Sequence, residues 1–118
     1  MREIKFRAWD RDRKKMFIPS SFGLPWITDL REKRSNCVLM QFTGLMDRAD
    51  QDIYEGDIVR IPKFGAGHND ASQNTVVEYN DRWARFRFRL PTGGYYDPVP
   101  HWEIEVVGNL YENPELLE

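Results

Sequence analysis

Cysteine and histidine are almost missing from this 118-residue chain. Cys37 is the only cysteine, which excludes an internal disulfide and a cysteine-built zinc site. His68 and His101 are the only histidines. Neither has a metal partner at ligand spacing, and His68-Asn69-Asp70 is a loop tripeptide. No apolar run approaches the ~20 residues of a membrane helix. Arg2, Glu3, Lys5 and Arg7 interrupt the stretch where a signal-peptide core would lie. A P-loop and a G-x-G-x-x-G turn are lacking as well, since Gly65-Ala66-Gly67 has no following Lys and no helix. These absences lead us to expect a soluble intracellular protein with no cofactor, no metal and no membrane partner.

The rest is globular in composition. Hydrophobic residues make up 41% and charged residues 31%, a balance that excludes a fully disordered chain. The length fits one domain and falls short of two. Charge is uneven: residues 1–15 hold seven basic and three acidic residues, so the remainder is −6 if the whole is −2. The final stretch, 103–118, carries Glu103, Glu105, Glu112, Glu115 and Glu118 with no Lys or Arg. Such asymmetry marks a nucleic-acid arm or an acidic tail, or more simply two ends that sit together. A pI near 5.7 argues against non-specific phosphate binding.

Alternation predicts strands. Ile4, Phe6 and Ala8 fall on one side of the first, with Lys5, Arg7 and Trp9 on the other. Residues 10–14 are a polar turn, and Met16-Phe17-Ile18 is the return strand of a hairpin. Pro19, Gly23 and Pro25 make 19–26 a loop. Val38 to Thr43 is a strand, followed by a turn rich in Asp47, Asp50 and Asp52. Gly56 interrupts the strand-like run Ile53 to Ile61 and marks a bulge or bend, and Pro62 stops the pairing. Residues 63–74 are a loop, Thr75 to Tyr79 a strand, and Asn80-Asp81 a turn. Ala84, Phe86, Phe88 and Leu90 then alternate with Trp83, Arg85, Arg87 and Arg89. Residues 91–101 form a second long loop. Glu103 to Val107 is a strand, Gly108-Asn109 bends the chain, and Leu110-Tyr111 continues it. Asn113-Pro114-Glu115 has the form of an N-cap, a first-turn proline and an acid, so the chain closes on one helical turn. About seven short strands with Gly/Pro punctuation predict a mainly β domain, a small barrel or roll whose closure hides its edges.

Three blocks carry a family resemblance. Arg2-Glu3-Ile4-Lys5-Phe6-Arg7-Ala8-Trp9-Asp10 with Met16 is the first. Leu39-Met40-Gln41-Phe42-Thr43-Gly44-Leu45 with Ile53-Tyr54-Glu55-Gly56-Asp57-Ile58-Val59 is the second, and Val107 to Leu117 the third. In this order they resemble the YopX family of phage and prophage proteins. The resemblance implies an SH3-like barrel over 39–118 behind an N-terminal hairpin and loop region over 1–38, in a single domain of residues 1–118. It also implies self-assembly and a bacterial host cytoplasm, and supplies no catalytic residue. The turn after Leu45 departs from the pattern in having no glycine, which predicts a longer turn or a left-handed Asp50.

Candidate chemistry is sparse. Cys37 reads as a small core residue. Asp47, Asp50, Asp52 and Asp57 could gather around Mg²⁺ but read more simply as a solvated turn. Asp57 would cap the Gly56 bend by accepting backbone N–H bonds. Arg85, Arg87 and Arg89 share a strand face, with alternate residues ~6.6–6.8 Å apart. They either track phosphates, with Trp83, Tyr95 and Tyr96 as stacking platforms, or pair with Glu103 and Glu105 on a neighbouring strand. Trp26, Trp83, Tyr95, Tyr96 and Trp102 are divided between core filling and a partner patch. We therefore expect a non-enzymatic module that assembles with itself and binds a host or phage protein. The candidate surface is Lys5, Arg7, Trp83, Arg85, Arg87, Arg89, Tyr95 and Tyr96, with Gly56 and Asp57 as a structural bend. Single-stranded nucleic-acid binding through Lys5, Arg7 and the arginines is the first alternative, and an Asp-dependent hydrolase or nuclease the second.

Overall fold

The computed structural model describes residues 3–18, 37–62, 72–96 and 101–118. Trp26, the loop through Gly65 and His68, and Asp97 to Pro100 lie outside the described residues. The strands are β1 (Phe6–Asp10), β2 (Lys15–Phe17), β3 (Cys37–Met46), β4 (Asp52–Tyr54), β5 (Asp57–Pro62), β6 (Ser72–Asn80), β7 (Arg85–Arg89), β8 (Tyr95–Tyr96) and β9 (Glu105–Asn109). They form a four-stranded sheet, β2-β1-β3-β4, and a five-stranded sheet, β8-β7-β6-β5-β9. The result is mainly β, as the alternation predicts, with the small barrel or roll realised as a curled half-barrel. Among the described residues no helix is long and apolar enough to cross a membrane.

The core lies where the inward faces meet. Ile53, Val59, Ile61, Val77, Phe86, Phe88 and Ile104 form one buried cluster, with Leu45, Tyr96 and Val106 packed against it. Burying a side chain such as Phe88 contributes about 1.5–3 kcal/mol. The alternation of β7 puts Phe86 and Phe88 into this cluster and leaves its arginines outside.

The chain passes from one sheet to the other at Glu55-Gly56, between β4 and β5. Gly56 has φ +87, a left-handed conformation that favours glycine, and an added Cβ would lie 3.0 Å from Met40 Sδ. Its N–H donates to the Val77 carbonyl at 2.8 Å, and its carbonyl accepts from Leu110 N–H at 2.8 Å. The expected bend is therefore a corner between sheets, tied on both sides. In the Asp-rich turn, Asp50 takes the expected left-handed conformation at φ 61.

Several local expectations need correction. Ile4 precedes β1 and is exposed, while Trp9 is buried by stacking on Tyr111 at 5.9 Å between ring centroids. β1 is a central strand on which Ala8 and Trp9, on opposite faces, are both buried, which period two alone does not reveal. Pro62 does not stop the ladder; it ends β5 opposite Ser72, so residues 72–74 belong to β6. Ala84 lies in the turn with φ 54, outside the alternating strand. The 91–101 loop contains β8, because Leu90 N–H donates to Gly94 and Gly93 N–H to Leu90, reversing the chain. Leu110-Tyr111 is a turn: Asn109 Oδ1 accepts the N–H groups of Tyr111 and Glu112. The C-terminal turn Pro114–Leu117 is 3-10, and Asn113 accepts from Asn109 N–H instead of capping it.

Candidate arginine–tyrosine surface

The hairpin β6–β7 and edge strand β8 build the surface. Cross-strand partners share a face, and the register sets Glu78 opposite Arg87 and Tyr95 opposite Arg89. Glu78 divides its carboxylate between two cations. Arg87 Nε donates to Oε1 at 2.8 Å and Arg89 Nε donates to Oε2 at 2.9 Å. The Arg87 guanidinium also lies over the Tyr95 ring, 3.4 Å from its centroid. One carboxylate and one ring thus hold two guanidinium groups in place.

This arrangement overturns the expected pairing with Glu103 and Glu105. β9 is at the far edge of the sheet, next to β5, and Glu103 lies in a 3-10 turn before it. Glu105 meets Arg48 at 3.5 Å and Arg60 at 3.4 Å instead. Arg85, at the start of β7, stands apart from the other two arginines. It helps line a groove of about 520 Å³ with Gln41, Thr43, Leu45, Tyr79 and Phe86. Trp83 is 65% exposed in the turn before β7, and Tyr95 is 49% exposed. Tyr96 packs against the core and is not a surface platform. Trp102 is also largely exposed.

Lys5 and Arg7 belong elsewhere. Lys5 Nζ sits 2.6 Å from Asp52 and 4.5 Å from the Phe42 ring centroid. Hydrogen bonding to Asp52 raises its pKa above the ordinary value. Arg7 reaches across the corner to Asp57, Nη2 to Oδ1 at 2.7 Å, with its guanidinium over the Tyr54 ring. Asp57 Oδ2 accepts Tyr54 N–H at 2.8 Å, the capping role expected of it. Burial raises the Asp57 carboxyl above its ordinary pKa; the Arg7 charge and the Tyr54 N–H oppose this without cancelling it.

The Asp-rich turn is not simply solvated. Asp47 is buried and accepts three backbone N–H groups, from Ala49 at 2.8 Å, Gln51 at 2.9 Å and Val106 at 3.0 Å. Burial pushes its carboxyl up, and the three donors outweigh that and hold it below the ordinary value. Asp52 is taken by Lys5 and Asp57 by Arg7. Among the described residues no group of three or more His, Cys, Asp or Glu could hold a metal ion.

Glu78 is the residue that sequence reasoning missed. A two-residue turn at Asn80-Asp81 would have set it opposite Trp83. The turn instead runs through Ala84 and sets Asn80 opposite Arg85. Nothing local to Glu78 signals its two partners; the left-handed Ala84 decides the register.

Comparison with curated proteins finds no match. Among solved structures the fold is similar to that of protein EF1440 from Enterococcus faecalis, with 25% identity over 100% of both chains and a TM-score of 0.63. It is also similar to protein yopX from Bacillus subtilis, with 25% identity over 100% of this chain and 98% of that one, and a TM-score of 0.60. The YopX protein family matches residues 5–118, in agreement with the three sequence blocks. The chain belongs to the YopX protein family.

Proposed function

We propose that the chain is a non-enzymatic binding module of phage or prophage origin, working in the cytoplasm of a bacterial host. It assembles with itself and holds a protein partner on the outer face of β6, β7 and β8. One observation carries this reading: Arg87 and Arg89 stand locked side by side on Glu78 beside the half-exposed Tyr95. Exposed Trp83 lies in the turn at the other end of β7. Protein interfaces favour Trp, Tyr and Arg, and fixed side chains lose little entropy on binding. The commitment of Asp47 and Asp57 to backbone N–H groups and Arg7 supports a role other than catalysis.

Two measurements test it. Sedimentation equilibrium at micromolar concentration should give a mass above 14.0 kDa, and a monomer throughout would refute assembly. Affinity capture from host lysate should recover a partner that Trp83→Ser and Tyr95→Ser both lose; equal recovery by the variants would refute this face. A second reading, single-stranded nucleic acid on the same face, is favoured by the guanidinium nitrogens that Glu78 leaves unused.

A further inference from the structure

We infer that Glu78, Arg87, Arg89 and Tyr95 form a receptor for one phosphodiester and its adjacent base in a single-stranded nucleic acid. The inference rests on the second reading above, single-stranded nucleic acid on this face, and names the groups that would hold it. Glu78 engages only the Nε atom of each arginine. Among the described residues no hydrogen bond reaches the Nη atoms of Arg87 or Arg89. The carboxylate therefore works as a spacer that fixes two guanidinium forks and leaves their terminal N–H groups for a ligand. Such forks match phosphate oxygens in geometry, and fixing them beforehand lowers the entropic cost of binding. Two cations on one carboxylate leave the cluster at +1, which one phosphodiester neutralises.

Tyr95 supplies the second part. One ring face lies under the Arg87 guanidinium, yet the residue keeps 49% of its surface exposed. A base stacked there would extend the guanidinium–ring stack. The cluster is part-exposed, beside a two-residue edge strand and outside the groove lined by Arg85. A mononucleotide needs an enclosing pocket, whereas a strand can pass over an open face and gain from repeated contacts.

The test is fluorescence anisotropy of a labelled oligothymidylate at low salt, with poly-glutamate as competitor at matched charge. The oligonucleotide should bind, with log K falling against log salt by about 0.7 per phosphate engaged. Arg87→Ala and Arg89→Ala should each flatten that slope by about 0.7. Arg87→Lys should keep the slope and lose affinity, because the charge remains and the fork does not. Tyr95→Ser should weaken binding about tenfold at unchanged slope. Each single arginine variant leaves Glu78 one partner, and an unshifted melting curve verifies its fold. No anisotropy change at low salt, or no effect of Tyr95→Ser, would overturn the inference. If poly-glutamate binds through Arg87 and the oligonucleotide does not, the face stands and this ligand is wrong. If neither binds, both readings fall.

Discussion

Asp47→Asn is the most informative change to the scaffold. The carboxylate gives Oδ1 to Ala49 and Gln51, closing its own turn, and Oδ2 to Val106 on β9. One side chain thus ties the β3–β4 connection to the edge strand of the other sheet. An asparagine can keep the two local bonds, but its Nδ2 then faces the Val106 N–H, donor against donor. One bond to a charged acceptor is lost and one backbone N–H is stranded. Each effect is of order 1–3 kcal/mol, and we expect a total of about 2–3 kcal/mol because the two overlap. For a chain of this length that lowers the melting temperature by about 10 °C.

The pH dependence checks the cause. Asp47 has a folded pKa below its ordinary value, so its contribution is present above the unfolded pKa and lost as pH falls through the folded one. Urea unfolding of wild type and Asp47→Asn should differ by a constant amount from about pH 7 to about pH 5, with equal m-values. The gap should narrow as pH falls below about 4, where the unfolded chain takes up a proton before folded Asp47 does. A gap under about 0.5 kcal/mol, or one unchanged at about pH 2.5, would refute the account.

Arg7→Met should cost about 3–5 kcal/mol near neutral pH, since it strands the buried Asp57 charge. Asp57 already has a raised pKa, so its folded form favours the proton and its contribution is lost as pH rises; the cost of Arg7→Met should therefore grow from about pH 4 upward in a denaturation series. In Arg7→Met/Asp57→Asn, where the amide oxygen still accepts Tyr54 N–H, much of the loss should return, and additive losses would sink the pairing argument. Gly56→Ala should destabilise by about 2 kcal/mol, from the left-handed backbone and the contact with Met40; a melting curve like that of wild type would contradict the corner geometry. Trp83→Ser should change stability by less than about 0.5 kcal/mol by urea unfolding, and a larger loss would mean that Trp83 is packed.

Much of the architecture is legible locally. Period two in Arg85 to Arg89 puts phenylalanines inward and arginines outward because a pleated strand has no other choice. Gly56 marks the corner because only glycine takes its φ cheaply, and Asp57 follows it with a side chain short enough to accept Tyr54 N–H. What is not legible depends on register and on distant strands. Glu78 finds its arginines through a turn length that Ala84 sets against its own preference. Asp47 meets Val106 across 59 positions of sequence, and Arg7 meets Asp57 across 50. Tyr95-Tyr96 looks like loop because Gly93 and Gly94 precede it, yet those glycines make the reversal that pairs it with β7.

The acidic pI argues against phosphate binding only if charge is spread evenly over the surface, and here it is not. Asp47 and Asp57 are buried and turned toward N–H donors and a cation, so they add to the count of acids but little to the outside field. Glu105 is occupied by two arginines at the opposite edge of the sheet from β8. Glu112 and Glu115 follow β9 in the C-terminal turns, and Glu118 helps line a pocket with Leu90 and Thr92 past the end of β7. Beyond about 8–10 Å at physiological salt such exposed charges are screened from one another. A ligand approaching β7 therefore senses its neighbourhood, where the two guanidinium groups meet the carboxylate of Glu78 and, past the end of the strand, that of Glu118, more than the formal −2 of the chain.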